Sequence, residues 1–299
     1  MATERIFKPN VQRGTLFEAP HLDPSDGYLW WVDIPRRVVH RASIDSPVET
    51  FTGPERMSAV VSTTENAKLL TGERSLWLLD PTTSKFNRLC ELKQEPQGNR
   101  CNDAKCDPYG NLWFGTMDNL EQHRRGKLWC LTIDGEMICY MNDIGISNTL
   151  AWDRKRHRMY FADSMIGIIY VMDYRIRGNI PVLGPAEVFF GTHLAPGIPD
   201  GSAIDTDGNL WNARWDGGCV VCISPDAHVV DSFAISASRP TSCAFVGIDR
   251  STLAVTTASI GLEPEVTGPC DGRVLLLDVD AVGDTVPPYK GSTGRLPCE

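Results

Sequence analysis

The chain has 299 residues, 42% of them hydrophobic and 22% charged, and a formal net charge of −9 at pH 7. This is an ordinary globular composition with ample core. Its acidity argues against nucleic acid or an anionic membrane as partner, since both want a basic face. No apolar run approaches the ~18 residues that span a bilayer. The opening MATERIFKPN has no apolar signal-peptide core, so the reading is a cytoplasmic protein with no membrane partner.

Taken in chain order, residues 6–12 read as an isolated strand that can close a ring. A turn followed by a stiff apolar strand then recurs six times. It is DGYLWWVD around Leu29, AKLLTGE around Leu69 and YGNLWFGT around Leu112, then RHRMYFAD around Met159, DGNLWNAR around Leu210 and RSTLAVTT around Leu253. Further strands follow most anchors: SLWLLDP (75–81), KLWCLTIDG (127–135), GIIYVMDY (167–174), GCVVCISPD (218–226) and RVLLLDVD (273–280). Asp, Gly, Pro and Ser bound them, as antiparallel hairpins require. Asp107 and Asp205 open the tight turns DPYG and DTDG and are assigned to turn formation. Residues 267–272 and the tail after Pro287 read as loops, and no long amphipathic helix stands out.

The anchors are 40, 43, 47, 51 and 43 residues apart. Strand repeats at 40–50 residues are the mark of a β-propeller. The predicted fold is all-β: a six-bladed β-propeller, residues 1–299 forming one domain, closed by pairing the two chain ends so that no long edge is exposed. The ten cysteines are scattered and several fall inside strands, so they read as free buried thiols. Cys219 and Cys222 have half of a zinc-site spacing, but no second pair or histidine follows.

Ten or eleven residues before each anchor stands a polar or acidic residue: Glu18, Ser58, Asn102, Asn148, Asp200 and Ser242. In a propeller, equivalent slots converge on the central axis. Each residue alone is a common turn former; the shared repeat phase makes the set a candidate site. Glu18, Asn148 and Asp200 offer only oxygen donors, which suit a hard divalent cation. Two buried carboxylates facing one axis repel and demand such an ion. Ser58 and Ser242 read as small fillers. His193, shortly before Asp200, is either an acid–base group or a solvated loop histidine.

These residues also carry a resemblance. RCNDAKCDPYGNLWFGTMD (100–118) matches the R-x-N-D-x-K-x-D-x-x-G-x-x-x-x-G-T-M stretch of the senescence marker protein/gluconolactonase/regucalcin family. SNTLAWD (147–153), PDGSAIDTDGNLWNARWDGGCV (199–220), PTSCAF (240–245) and LAVTTA (253–258) resemble its later segments, in order. The resemblance implies a six-bladed propeller with one divalent ion in the central channel (Ca2+, or Zn2+, Mn2+, Mg2+ or Fe2+). It places the metal ligands at Glu18, Asn148 and Asp200 and the substrate-binding pair at Arg100 and Asn102. A further polar contact falls among Asp118, Asn119 and Glu121. Ala19 and Thr149 stand where the family usually has glycine. Arg214 replaces a small or apolar residue and would either reach an anionic substituent or form a surface ion pair.

The implied activity is hydrolysis of a sugar-acid lactone, a small-molecule aldonolactone such as a glucono-, arabino- or xylonolactone. Asp200 is the expected catalytic base, and Arg100 and Asn102 hold the sugar hydroxyls. Two rival readings fit the same ring. One is a metal-dependent phosphotriesterase or aryl esterase, and the other a calcium-binding protein without enzymatic activity.

Overall fold

A computed structural model describes residues 3–8, 11–263 and 266–294. The described residues form twenty-five strands and one short 3-10 turn. Among the described residues no helix is long and apolar enough to cross a membrane.

The strands make six antiparallel sheets arranged as blades. Blades 1 to 5 occupy residues 17–52, 59–91, 99–144, 147–191 and 198–234. Blade 6 combines residues 240–278 with the N-terminal strand Glu4–Ile6, which pairs antiparallel with Leu275–Leu277. Five blades have four strands, and blade 4 has a fifth because its long strand Ile168–Arg177 pairs with both Ile180–Leu183 and Glu187–Gly191. The innermost strand of each blade packs against those of its two neighbours in cyclic order, blade 6 against blade 1 included. The ring is therefore closed by main-chain hydrogen bonds rather than by an exposed edge.

Every anchor residue of the repeat lies on the second strand of its blade and is buried. The core is six apolar clusters, each wedged between adjacent blades. The turn aspartates explain the D-x-x-G-N-L-W repeat. Asp107 accepts from the amides of Tyr109, Gly110 and Asn111 with one oxygen, and from Trp113 Nε1 (3.0 Å) with the other. Asp205 accepts in the same way from Asp207, Asn209 and Trp211. Each carboxylate thus ties a turn to the tryptophan of the strand that follows it.

Three expectations need correction. The closing strand is Glu4–Ile6, so only Ile6 falls within the predicted 6–12; the chain turns away at Lys8, which has φ 57. Eight described cysteines are free, but Cys90 is disulfide-bonded. Cys90 is buried on Lys85–Glu91, the outermost strand of blade 2. The described part of the tail, residues 288–294, lacks strands and helices as expected, but it and the segment before it are firmly held, and residues 295–299 lie outside the described residues. Gly283 bridges to Asp205 of blade 5, and Tyr289 bridges to Thr63 of blade 2. Tyr289 is fully buried and its hydroxyl donates to Thr132 O (3.0 Å). Blades 2 and 5 are opposite one another in a six-membered ring, so this segment crosses the end of the channel as a chord.

Cys219 and Cys222 lie on one strand, three residues apart, and pack into different inter-blade clusters on opposite faces. That geometry denies them a shared metal.

Candidate metal and substrate site

The inner strands carry the site at their beginnings. Glu18 lies on Phe17–Leu22, Asn102 on Asn99–Cys106, Asn148 on Ser147–Asp153 and Asp200 on Ile198–Ile204. In each of these strands the register slips at the site residue: directly after Glu18 and Asn148, before His21 and Ala151, and around Asn102 and Asp200, between Cys101 and Ala104 and between Pro199 and Ser202. A β-bulge bends a strand and re-aims a side chain, and four bulges in equivalent places turn four polar side chains toward one cavity. Ala19 (φ 49) and Thr149 (φ 56) follow the site residues in left-handed backbone. Only glycine adopts that backbone without cost, which explains the glycine usual at both positions in similar chains. At Gly201 the constraint is space: an added Cβ would lie 2.1 Å from Ser242 Oγ and 2.9 Å from Ser242 Cα.

The cavity has a volume of about 240 Å3. Its polar lining is Glu18, Arg100, Asn102, Glu121, Asn148, Ser164 and Asp200. A chain of hydrogen bonds runs along one wall. Arg100 Nη1 donates to Asn102 Oδ1 (2.7 Å), Asn102 Nδ2 to Asn148 Oδ1 (3.1 Å), Asn148 Nδ2 to Ser164 Oγ (2.9 Å), and Ser164 Oγ to Pro199 O (2.6 Å). Both amide orientations are fixed by this chain, so Asn148 points its oxygen and Asn102 its amide in defined directions.

The two carboxylates are held differently. Ala19 N donates to Glu18 Oε2 (3.2 Å), the one hydrogen bond to that group among the described residues. Burial, then the charge of Asp103, push the Glu18 carboxyl from 4.5 up to about 8. Burial raises Asp200 well above the usual carboxylate range, reinforced by Glu18 and Asp103. Arg100 is the cation that offsets them, and its own proton affinity is lowered by burial. Two carboxylates with so few donors form an electron-rich oxygen set that fits a divalent cation. Among the described residues no three His, Cys, Asp or Glu side chains cluster around a metal position; the set is two carboxylates and an amide oxygen.

The remaining candidates are placed as follows. Glu121 lines the cavity and acts electrostatically on Arg100. Asn119 is exposed and does not line it; its amide donates to Gly98 O. Asp118 is buried and accepts from the amides of Leu120, Gln122 and His123 and from Arg125, which shapes the loop carrying Glu121. His193 is exposed on the 3-10 turn and is not among the cavity residues. Arg214 takes neither role foreseen for it. It is fully buried and donates to the carbonyls of Pro196 and Gly197 and to Asn212 Oδ1 (3.0 Å). It pins the loop leading into Asp200. Ser58 bonds Thr71 in its own blade and stays out of the cavity, as a filler does.

Sequence reasoning missed Asp103 and Ser164. Asp103 follows Asn102 and sits just deeper in the channel, accepting from Leu150 N (3.3 Å). The repeat phase offered no signal for it, since its neighbour already occupied the aligned slot. Ser164 belongs to a hairpin end beyond the phase of the repeat.

Comparison with known proteins agrees with this fold. A pentonolactonase of Haloferax volcanii is 31% identical over 95% of this chain and 96% of its own. An L-arabinolactonase of Azospirillum brasilense is 32% identical over 85% of this chain and 84% of its own. The crystal structure of a calcium-binding protein, regucalcin, from Agrobacterium tumefaciens superposes with a TM-score of 0.90 at 28% identity, covering 96% of this chain and 97% of that one. The profile described as the SMP-30/Gluconolactonase/LRE-like region matches residues 16–259, and the chain belongs to that family.

Proposed function

We propose that the protein is a sugar-lactone hydrolase that works with one divalent ion held by Glu18, Asn148 and Asp200. The observation that carries this reading is the pairing of two buried, mutually repelling carboxylates with the Arg100–Asn102–Asn148 hydrogen-bond chain in one cavity. A divalent ion bound there supplies Lewis acidity toward the carbonyl of an ester. The chain's own residues do the rest. Arg100 has guanidinium nitrogens besides Nη1 to offer ring hydroxyls, and Asn102, whose Nδ2 donates to Asn148 Oδ1 and Ser147 O, holds that guanidinium in place through its Oδ1. Asp200, a carboxylate inside the cavity beside Asn148, takes a proton from the attacking water as general base. Water adds to the carbonyl carbon, the ring C–O bond breaks, and the products are one carboxylic acid and one hydroxyl on the same molecule.

A non-enzymatic ion binder has no need of the Arg100–Asn102 pair. An aryl-ester or phosphotriester pocket would be deep and aromatic, whereas among the described residues Trp215 is the one aromatic side chain lining this cavity. The test is base consumption in a pH-stat over a panel of aldonolactones, before and after chelation. Turnover that stops with chelator and returns with one divalent ion is expected. Full turnover in demonstrably metal-free protein would overturn the metal assignment, and absence of turnover on every lactone would overturn the activity.

A further inference from the structure

Half of the cavity wall is not polar. Facing the hydroxyl-binding edge formed by Arg100, Asn102 and Glu121 are Met165 from blade 4 and Ile198, Pro199 and Trp215 from blade 5. Trp215 is half-buried, ends the strand Leu210–Trp215, and is braced from behind. The guanidinium of Arg239 lies over its ring, 4.9 Å from the centroid. Arg239 is itself fixed: its Nε donates to Asp216 Oδ1 (2.5 Å) and its Nη1 to Ile260 O. A cation over one face of an indole anchors the ring and leaves the opposite side for the cavity. A sugar ring has hydroxyl edges, but its faces carry C–H groups, and an aromatic ring receives such an apolar face well.

We infer that Trp215, braced by Arg239, is the platform on which the substrate ring lies, and that it makes the site selective for neutral lactones with one ring face free of projecting hydroxyls. This rests on the lactonase reading above and deepens it. The charge inventory agrees on neutrality. Glu121 adds a third carboxylate to Glu18 and Asp200, and among the described residues Arg100 is the one cationic side chain lining the cavity, so with the divalent ion of the lactonase reading bound the two cations balance the three carboxylates with no positive charge to spare. Arg214, the nearest alternative, spends its donors on loop carbonyls. An anionic substituent would meet Glu121 with no further cation to balance it.

The test compares wild type, Trp215→Leu and Trp215→Tyr on pairs of epimeric aldonolactones that differ in whether a hydroxyl projects from one ring face. In wild type the open-faced epimer should have the lower KM. Trp215→Leu should raise that KM about three- to tenfold, a typical aromatic-contact effect, leave kcat within about twofold, and shrink the epimer preference. Trp215→Tyr should restore most of both, and all three proteins should melt within about 2 °C of one another. Unchanged KM and epimer preference in Trp215→Leu would overturn the inference while leaving the lactonase reading intact. So would a loss that Trp215→Tyr fails to rescue, or an equal loss on both epimers. If wild type turns over no lactone, the reading of the activity fails first, and binding of the intact, unhydrolysed lactones by calorimetry then decides on Trp215 alone. Weaker binding in Trp215→Leu supports the platform, and equal binding refutes it.

Discussion

The raised proton affinity of Glu18 makes a specific demand on metal-free protein. Its carboxyl titrates near 8 in the fold instead of 4.5, through burial first and Asp103 second. Between those values the folded state holds a proton that the unfolded chain has released. Stability should therefore be fullest below pH 4.5 and fall as pH rises toward 8. At 1.36 kcal/mol per pH unit the whole shift amounts to roughly 5 kcal/mol. Glu18 is half-buried and lines an open cavity, and solvent screening reduces this to about 2 kcal/mol. For a chain of this length the unfolding entropy is about 0.6 kcal/mol/K, so about 2 kcal/mol is about 3 °C in Tm. Glu18→Gln keeps the volume and removes the charge. In chelator, the variant should match wild type at pH 4.5 and exceed it by about 3 °C at pH 8, measured by calorimetry or circular dichroism. A saturating divalent ion should reverse the order, because an ion that binds only the fold stabilises it by mass action. A difference between the two proteins that does not change with pH, or a metal-free wild type that is the more stable at pH 8, would refute the argument.

Other outcomes follow from the same structure. Arg100→Ala should lower kcat/KM on polyhydroxylated lactones by ~10-fold or more and leave a simple unsubstituted lactone little affected; a large fall in Tm would instead make Arg100 structural. His40 is buried between Trp31 and Phe17 with neither ring nitrogen hydrogen-bonded, and burial lowers its pKa from 6.5 to about 4. Its stabilising neutral form is complete above pH 6.5 and lost as pH falls toward 4, so His40→Phe should raise Tm by a degree or two at pH 7 and flatten the acid side of the stability profile. Tyr289→Ala should cost about 3–4 kcal/mol, a fall of about 5–6 °C in Tm, with kcat on the remaining folded protein nearly unchanged.

The ring of blades was legible because a propeller repeats a short-range pattern. Each anchor, from Leu29 to Leu253, marks a buried strand by its own local sequence, and equal phase then aligns Glu18, Asn102, Asn148 and Asp200 without knowledge of the tertiary fold. What escaped notice lacked that periodicity. Arg214 looked like a free cation because nothing local announces that the carbonyls of residues 195–197 curl onto it. Asp103 was hidden by Asn102 beside it. The tail offered no strand pattern, yet Tyr289 is among the most deeply buried aromatics, because its partners come from blades 2 and 3, more than a hundred residues away. The N-terminal strand was foreseen but displaced, since its register is set by Leu275–Leu277 and not by its own residues.

The chord drawn by the C-terminal segment changes the traffic through the molecule. Residues at the far ends of the inner strands, such as His21, Lys105 and Ile204, meet Asp284 to Pro287 there. With that end barred, the central channel is a cul-de-sac rather than a tunnel. If the site works as proposed, reactant, water and ion share a single doorway with the departing acid. A freshly opened sugar acid is longer and more flexible than its lactone, and it carries a new negative charge past Glu121 on the way out. Egress is thus hastened by repulsion at the threshold, while a crowded vestibule would make the acid a competitor of the very molecule that replaces it.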